Sequence, residues 1–167
     1  RIKMKVTLMY GGRSGEHEIS LLSCASVLRN ISDNHEITLI SVSKDGKWYL
    51  EDTSVIAELK ANPEAKLSVH ADESKRVNVI PGGGTAAAFT CGGKTIAADV
   101  VFFVMHGTYS EDGTLQGLFE MVGVPYVGCG VMSSAVTMDK VTTKIIWEKA
   151  GLPVVPYMCL TKADINN

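Results

Sequence analysis

The sequence has no apolar run near the roughly 18 residues that a membrane-crossing helix needs, and it has no surplus of either charge. Sixteen Lys and Arg stand against eighteen Asp and Glu, a formal net charge of -2. The first absence leaves no expected membrane span. The second argues against nucleic-acid binding by phosphate neutralisation. The opening RIKMKVTLMY runs straight into a strand pattern and has neither the apolar core nor the cleavage pattern of a secretory signal. Cys24, Cys91, Cys129 and Cys159 are scattered, with no C-x-x-C pair. Free thiols in a reducing cytoplasm are expected, two of them buried in apolar surroundings.

Other motifs are missing too. No H-E-x-x-H or similar pair stands at ligand spacing, so Glu16, His17, Glu18, His106, Glu111 and Asp112, though ligand types, make no metal motif. The spacing of G-G-R-S-G is not that of a dinucleotide fingerprint, and no acid ends the second strand where one would bind a ribose. The glycines at 82–84 lack the lysine and helix of a phosphate-binding loop. No internal repeat or low-complexity tract is visible.

What is present describes a globular α/β protein. The chain has 167 residues, of which 46% are hydrophobic, enough for a proper core. That length suits one compact domain, or one domain and the beginning of another.

Residues 5–10 read as a buried strand. Leu21, Cys24, Ala25, Leu28 and Ile31 follow helical spacing. Residues 37–42 form a second β-rich run, joined through a D-G turn to a strand at 48–50. Ser54 is placed to cap a short helix through Leu59. Residues 61–75 are polar, contain Pro63 and read as a surface segment. Residues 86–90 and 94–97 suggest another hairpin.

The run at 99–105 is continuously apolar, as in a parallel strand covered on both faces. Leu115, Leu118, Phe119 and Val122 then mark a helix that Gly123 closes. A short strand is expected at 124–127. A long helical pattern spans 132–150, with a break near Met138-Asp139. A further strand is expected at 154–160. Strands and helices that alternate in this way predict an open, mainly parallel sheet flanked by helices. A lone strand cannot stand by itself, so the sequence reads as one that stops just inside a second domain.

Chemistry-bearing residues gather in two loops. GGRSGEHEIS, residues 11–20, follows the first strand and leads into a helix, so free N–H groups and a positive helix end face whatever binds there. HGTYSEDGT, residues 106–114, follows the most buried strand. In an open parallel sheet both loops emerge on the ligand-binding edge, which puts Glu16 and His106 on one crevice. A carboxylate suits a small substrate's ammonium group, and a histidine suits a carbonyl or carboxylate oxygen. A histidine that only ties down its own loop is the plainer alternative. Glu111 and Asp112 precede a helix and fit the role of caps and dipole partners.

Taken together, GGRSGEHEIS, HGTYSEDGTLQG, VPYVGCGVMSSAVTMDK and the later WEKAGLPV resemble the amino-terminal part of the D-alanine–D-alanine ligase family, within the ATP-grasp superfamily. The four blocks are collinear and cover most of the chain, with 61–98 the least distinctive. The resemblance implies a Rossmann-like substrate-side domain at 1–137, then a hinge helix and the start of a central ATP-grasp domain at 138–167. It implies an enzyme that joins two D-alanines through an acyl phosphate for peptidoglycan precursors, using ATP and Mg²⁺.

By position, Glu16 matches the acid that binds the first D-alanine's amino group and serves catalysis. His106 matches the histidine near that substrate's carboxyl end, and Ser20 lies in the substrate-side segment. Lys140 matches a lysine on the ATP phosphates. No metal ligand is assigned within these residues, because the family's Mg²⁺ carboxylates and glycine-rich ATP loop come later. Neither ATP nor Mg²⁺ is expected bound to this chain alone, which should fold without turning over.

Relatives are usually homodimers, so a cytoplasmic homodimer with no nucleic-acid or membrane partner is expected. A D-alanine–D-lactate or D-alanine–D-serine ligase is the rival reading. A non-catalytic small-molecule binding domain is the rival from another class.

Overall fold

A computed structural model describes residues 2–165. In chain order it contains β1 (Lys5–Gly11), α1 (His17–Asn30), β2 (Glu36–Val42), β3 (Trp48–Glu51) and α2 (Val55–Ala61). A 3-10 turn (Glu73–Lys75), β4 (Val77–Val79), β5 (Phe89–Cys91), β6 (Lys94–Ile96) and β7 (Val100–Phe103) follow. The last elements are α3 (Thr114–Val122), α4 (Val131–Met138), α5 (Lys140–Lys149) and α6 (Lys162–Ile165).

The main sheet has the order β3-β2-β1-β7, with β1 parallel to both β2 and β7 and β3 antiparallel at one edge. β4, β5 and β6 form a small antiparallel sheet. This is the α/β fold that the alternating pattern predicts.

β1 reads as a continuous apolar run because its two faces serve two cores. Leu8 and Tyr10 pack with Cys24, Ala25 and Leu28 of α1 and Leu39 of β2. Met9 packs the opposite way, with Ile40, Val101, Phe89 and Phe119. That second core is aromatic. The Phe119 ring stacks on Phe103 at 5.9 Å and meets Phe89 edge-on at 6.3 Å. Phe89 thereby anchors the small sheet under α3.

Several expectations change on contact with the structure. α1 starts at His17, a turn before the apolar spacing begins, so the last four residues of the predicted loop are already helix. Ser54 does not cap α2 with its side chain. Its own N–H is taken by Asp52 Oδ1 at 2.8 Å, which fixes the entry turn.

Residues 61–75 are more than a surface segment. Leu67 is buried, Tyr10 Oη donates to the Ser68 carbonyl, and Arg29 donates to the carbonyls of Pro63 and Ala65. The strand expected at 124–127 shrinks to one parallel bridge, Val101 to Tyr126. Pro125 offers a carbonyl to Val101 but has no N–H to extend a ladder. Residues 154–160 form no strand among the described residues, because no neighbouring strand pairs with them. Cys24 alone of the four thiols is buried, while Cys91 is half-buried and Cys129 and Cys159 are exposed.

The helical pattern at 132–150 does break where expected, into α4 and α5. Asp139 caps α5 by accepting the Thr142 N–H at 2.7 Å. No helix is long and apolar enough to cross a membrane among the described residues.

Candidate substrate-side site

The carboxyl ends of β1 and β7 deliver the two predicted loops to one edge of the sheet. The first loop turns sharply at Gly11, whose φ is +92° and whose Cα lies so close to β2 that an added Cβ would come 2.2 Å from the Val42 carbonyl oxygen. Gly12 N–H then donates to that same carbonyl at 2.8 Å. His17 is buried beneath the loop and Nδ1 donates to the Gly12 carbonyl at 2.7 Å. A carbonyl can only accept, so Nδ1 carries the proton. His17 therefore braces the loop.

Ser20 is fully buried. Its hydroxyl donates to the Val104 carbonyl, just past β7, and accepts the Gly11 N–H at 2.8 Å. Its proton and one lone pair tie the two strand ends together, and the side chain is fully buried, so Ser20 stands behind the edge.

Ser14 joins the two loops at their tips. Its Oγ donates to the His106 carbonyl at 2.6 Å and accepts the Glu16 N–H at 3.2 Å. Glu16 sits at the N-cap position of α1, exposed, with its carboxylate not used for capping. That carboxylate lies against Gly107, where an added Cβ would come 2.7 Å from Glu16 Oε2. His106 is half-buried, and its Nε2 lies 3.0 Å from Ser23 Oγ on α1. The structure thus brings Glu16 and the His106-Gly107 turn together.

The neighbouring charges are otherwise engaged. Glu18 pairs with Lys44 at 2.8 Å, and that ammonium holds its carboxyl below the usual carboxylate range. The Arg13 guanidinium lies over the Tyr109 ring, 4.5 Å from its centre. The two side chains wall an apolar cleft of about 510 Å³ that also contains Trp48 and Leu118. Glu111 Oε2 accepts the Gly107 N–H at 2.7 Å.

Asp112 accepts from the N–H groups of Tyr109 at 2.8 Å and Thr114 at 3.0 Å, so both acids act as the turn and cap partners their position suggests. Partial burial raises the Asp112 pKa, but these N–H donors outweigh it and hold the carboxyl below its ordinary value.

Lys140 is the first residue of α5, exposed, with its ammonium donating to the Thr137 carbonyl at 3.0 Å. Among the described residues no three His, Cys, Asp or Glu side chains gather into a metal-binding group. Sequence reasoning missed Ser14, which joins the loop tips, and Ser23, which meets the His106 ring from α1. A trace of Ser23 was there to read: with Ser20 it puts polar residues at i and i+3 beside the apolar face of α1.

The sequence matches the family described as the D-ala D-ala ligase N-terminus over residues 5–129. It is 47% identical over 161 residues to the D-alanine–D-alanine ligase of Treponema denticola, covering 96% of this chain and 44% of that protein. The corresponding ligase of Treponema pallidum strain Nichols is 49% identical over 157 residues, 94% of this chain and 39% of that protein.

The fold is similar to the D-alanine–D-alanine ligase of Coxiella burnetii, with a TM-score of 0.78 at 34% identity, over 92% of this chain and 43% of that one. It is also similar to the VanG D-Ala:D-Ser ligase of Enterococcus faecalis, with a TM-score of 0.72 at 33% identity and the same coverage. The chain spans less than half the length of each of these proteins. By the extent of the family match, backed by these sequence and structural likenesses, the chain belongs to the D-alanine–D-alanine ligase amino-terminal family.

Proposed function

We propose that this chain forms the first-substrate side of an ATP-dependent ligase that joins two D-alanines for peptidoglycan precursors. The observation that carries the reading is the pairing of an uncommitted carboxylate with the His106-Gly107 turn on one sheet edge. Glu16 takes the ammonium group of the first D-alanine, and His106 takes its carboxyl end. The carboxylate binds and orients, and its catalytic share is to fix the amino acid where its carboxyl group is to be activated. Ser20 serves the substrate from behind, by locking the ends of β1 and β7.

Lys140 suits the phosphates of ATP as a compact cation on an exposed helix start. ATP supplies the phosphoryl group that activates the first carboxylate, and Mg²⁺ neutralises its phosphates. The carboxylate ligands of Mg²⁺ are assigned to the parent protein outside this chain. Residues 1–137 make up the substrate-side domain. Residues 138–167 are the hinge helix and the start of the central domain, a division supported by the Asp139 cap between α4 and α5. The parent is read as a cytoplasmic homodimer.

The likeness to VanG favours one second reading, a D-alanine–D-serine ligase, because both ligase types share this part of the fold. The test is to incubate the full-length parent with ATP, Mg²⁺ and D-alanine, with and without D-serine or D-lactate. D-alanine-dependent phosphate release with D-alanyl-D-alanine as product is expected. A mixed product would move the assignment to the second reading. No phosphate release with any of the three would leave only a binding domain.

A further inference from the structure

We propose that Ser23 is the positioning residue of this site: its hydroxyl donates to Nε2 of His106 and holds the ring as the Nδ1–H tautomer, so that Nδ1 is the donor offered to a substrate carboxylate. Serine and threonine hydroxyls on helices often turn back to the carbonyl four residues earlier, as Thr137 does to Ser133 at 2.8 Å. Ser23 does not. Its partner among the described residues is the His106 ring, 83 positions away and 3.0 Å from it.

The proton count leaves two arrangements, and the ligand the edge is to hold chooses between them. A neutral imidazole has one N–H and one bare nitrogen, and a serine hydroxyl has one proton to give. If Nε2 held the ring proton, Ser23 would accept it, the hydroxyl proton would be left to solvent, and a bare Nδ1 would remain. If Nδ1 holds it, the hydroxyl proton goes to Nε2, and Nδ1–H is the one donor left over for a ligand. Nδ1 has no hydrogen-bond partner among the described residues.

The backbone of the same residue is already fixed, since the His106 carbonyl accepts from Ser14. Main chain and ring are therefore pinned by separate serines, one from the loop and one from α1. A carbonyl or carboxylate oxygen can accept from Nδ1–H but can do nothing with a bare nitrogen. The tautomer thus decides whether His106 attracts the carboxyl end or repels it.

The carboxylate and the choice of tautomer rest on the function proposed above, whereas the Ser23–His106 bond does not. The first measurement is the long-range ¹H–¹⁵N spectrum of the histidine rings in this chain, well above the ordinary histidine pKa of about 6.5. His106 is assigned by its loss in His106→Gln. The Nδ1–H pattern is expected for the native chain, a gain of Nε2–H in Ser23→Ala, and a return to Nδ1–H in Ser23→Thr. An Nε2–H ring in the native chain, or an unchanged ring in Ser23→Ala, overturns the proposal. Should Ser23→Ala not fold, the native chain and Ser23→Thr still decide it.

In the full-length parent, Ser23→Ala should raise KM for the first D-alanine about three- to tenfold, the scale of one neutral hydrogen bond. Ser23→Thr should restore it. A KM unmoved by Ser23→Ala also overturns the role. A parent that ligates no D-alanine removes the substrate assignment and leaves the spectrum to be read as before.

Discussion

Gly107 sets the spacing of the site more tightly than either of the residues expected to touch substrate. Its φ is +75°, and an added Cβ would press on Glu16 Oε2 at 2.7 Å and Ser14 Cβ at 3.1 Å. Gly107→Ala should cost about 1–2 kcal/mol, the price of a left-handed L-residue, read as a lower denaturation midpoint. It should also displace the Glu16 carboxylate and raise KM for the first D-alanine in the parent protein. A variant as stable and as active as the native protein would contradict the geometry.

Asp112 gives a pH prediction. Its folded-state pKa lies below the usual 3.8, so the unfolded chain binds the proton more readily. The stability it contributes is complete above the unfolded value and is lost as pH falls through the folded one. Asp112→Asn should therefore lower stability at neutral pH and flatten the acid limb of a stability-against-pH curve measured by urea unfolding.

Burial pushes the Cys24 thiol up to about 12, whereas Cys129 and Cys159 are exposed. Alkylation at mildly alkaline pH followed by mass spectrometry should label the exposed pair first and Cys24 only on unfolding. That Glu16 and His106 lie on one sheet edge was legible because each follows a strand end. Ser14 and Ser23 were not, because their bonds cross 92 and 83 positions of sequence, and no local pattern encodes a partner that distant.

Among the elements, α3 shows why periodicity was a good guide in some places and a poor one in others. Leu115, Phe119 and Val122 are buried on one stripe, and Gly123 ends the helix, as the spacing predicts. The same stripe closes the aromatic core, where Phe119 is fully buried between Phe103 and Phe89. Phe119→Ala should therefore cost about 3–5 kcal/mol, measured by urea unfolding. A loss under about 1 kcal/mol would mean that the core collapses around the gap.

Strands depend on partners rather than on their own composition, and here the sequence was less informative. Residues 154–160 have the β-rich composition of a strand but no neighbour to pair with among the described residues. Residues 124–127 keep one bridge because Pro125 cannot donate. The strap at 61–75 was illegible for a similar reason. Its polarity signalled surface, while its attachment comes from Arg29 and Tyr10 far back in the chain.

At the scale of the whole molecule, two strand ends, one helix start and two serine clamps converge on a single edge. β1 keeps that edge in register: it is paired on both sides, and each of its faces is packed into a separate core. On this account the chain binds and orients one amino acid, and phosphoryl transfer requires the rest of the parent protein. Purified chain given ATP, Mg²⁺ and D-alanine should release no D-alanine-dependent phosphate, and release would contradict the division of labour.

The most direct measurement is made on the full-length parent carrying Glu16→Gln, by steady-state kinetics with D-alanine and ATP varied separately. A charge-assisted bond to the ammonium group is at stake, so KM for the first D-alanine should rise about tenfold to a hundredfold while KM for ATP stays nearly constant. An unchanged KM for D-alanine, or a loss confined to ATP, would contradict the claim that Glu16 and the His106-Gly107 turn share one substrate pocket.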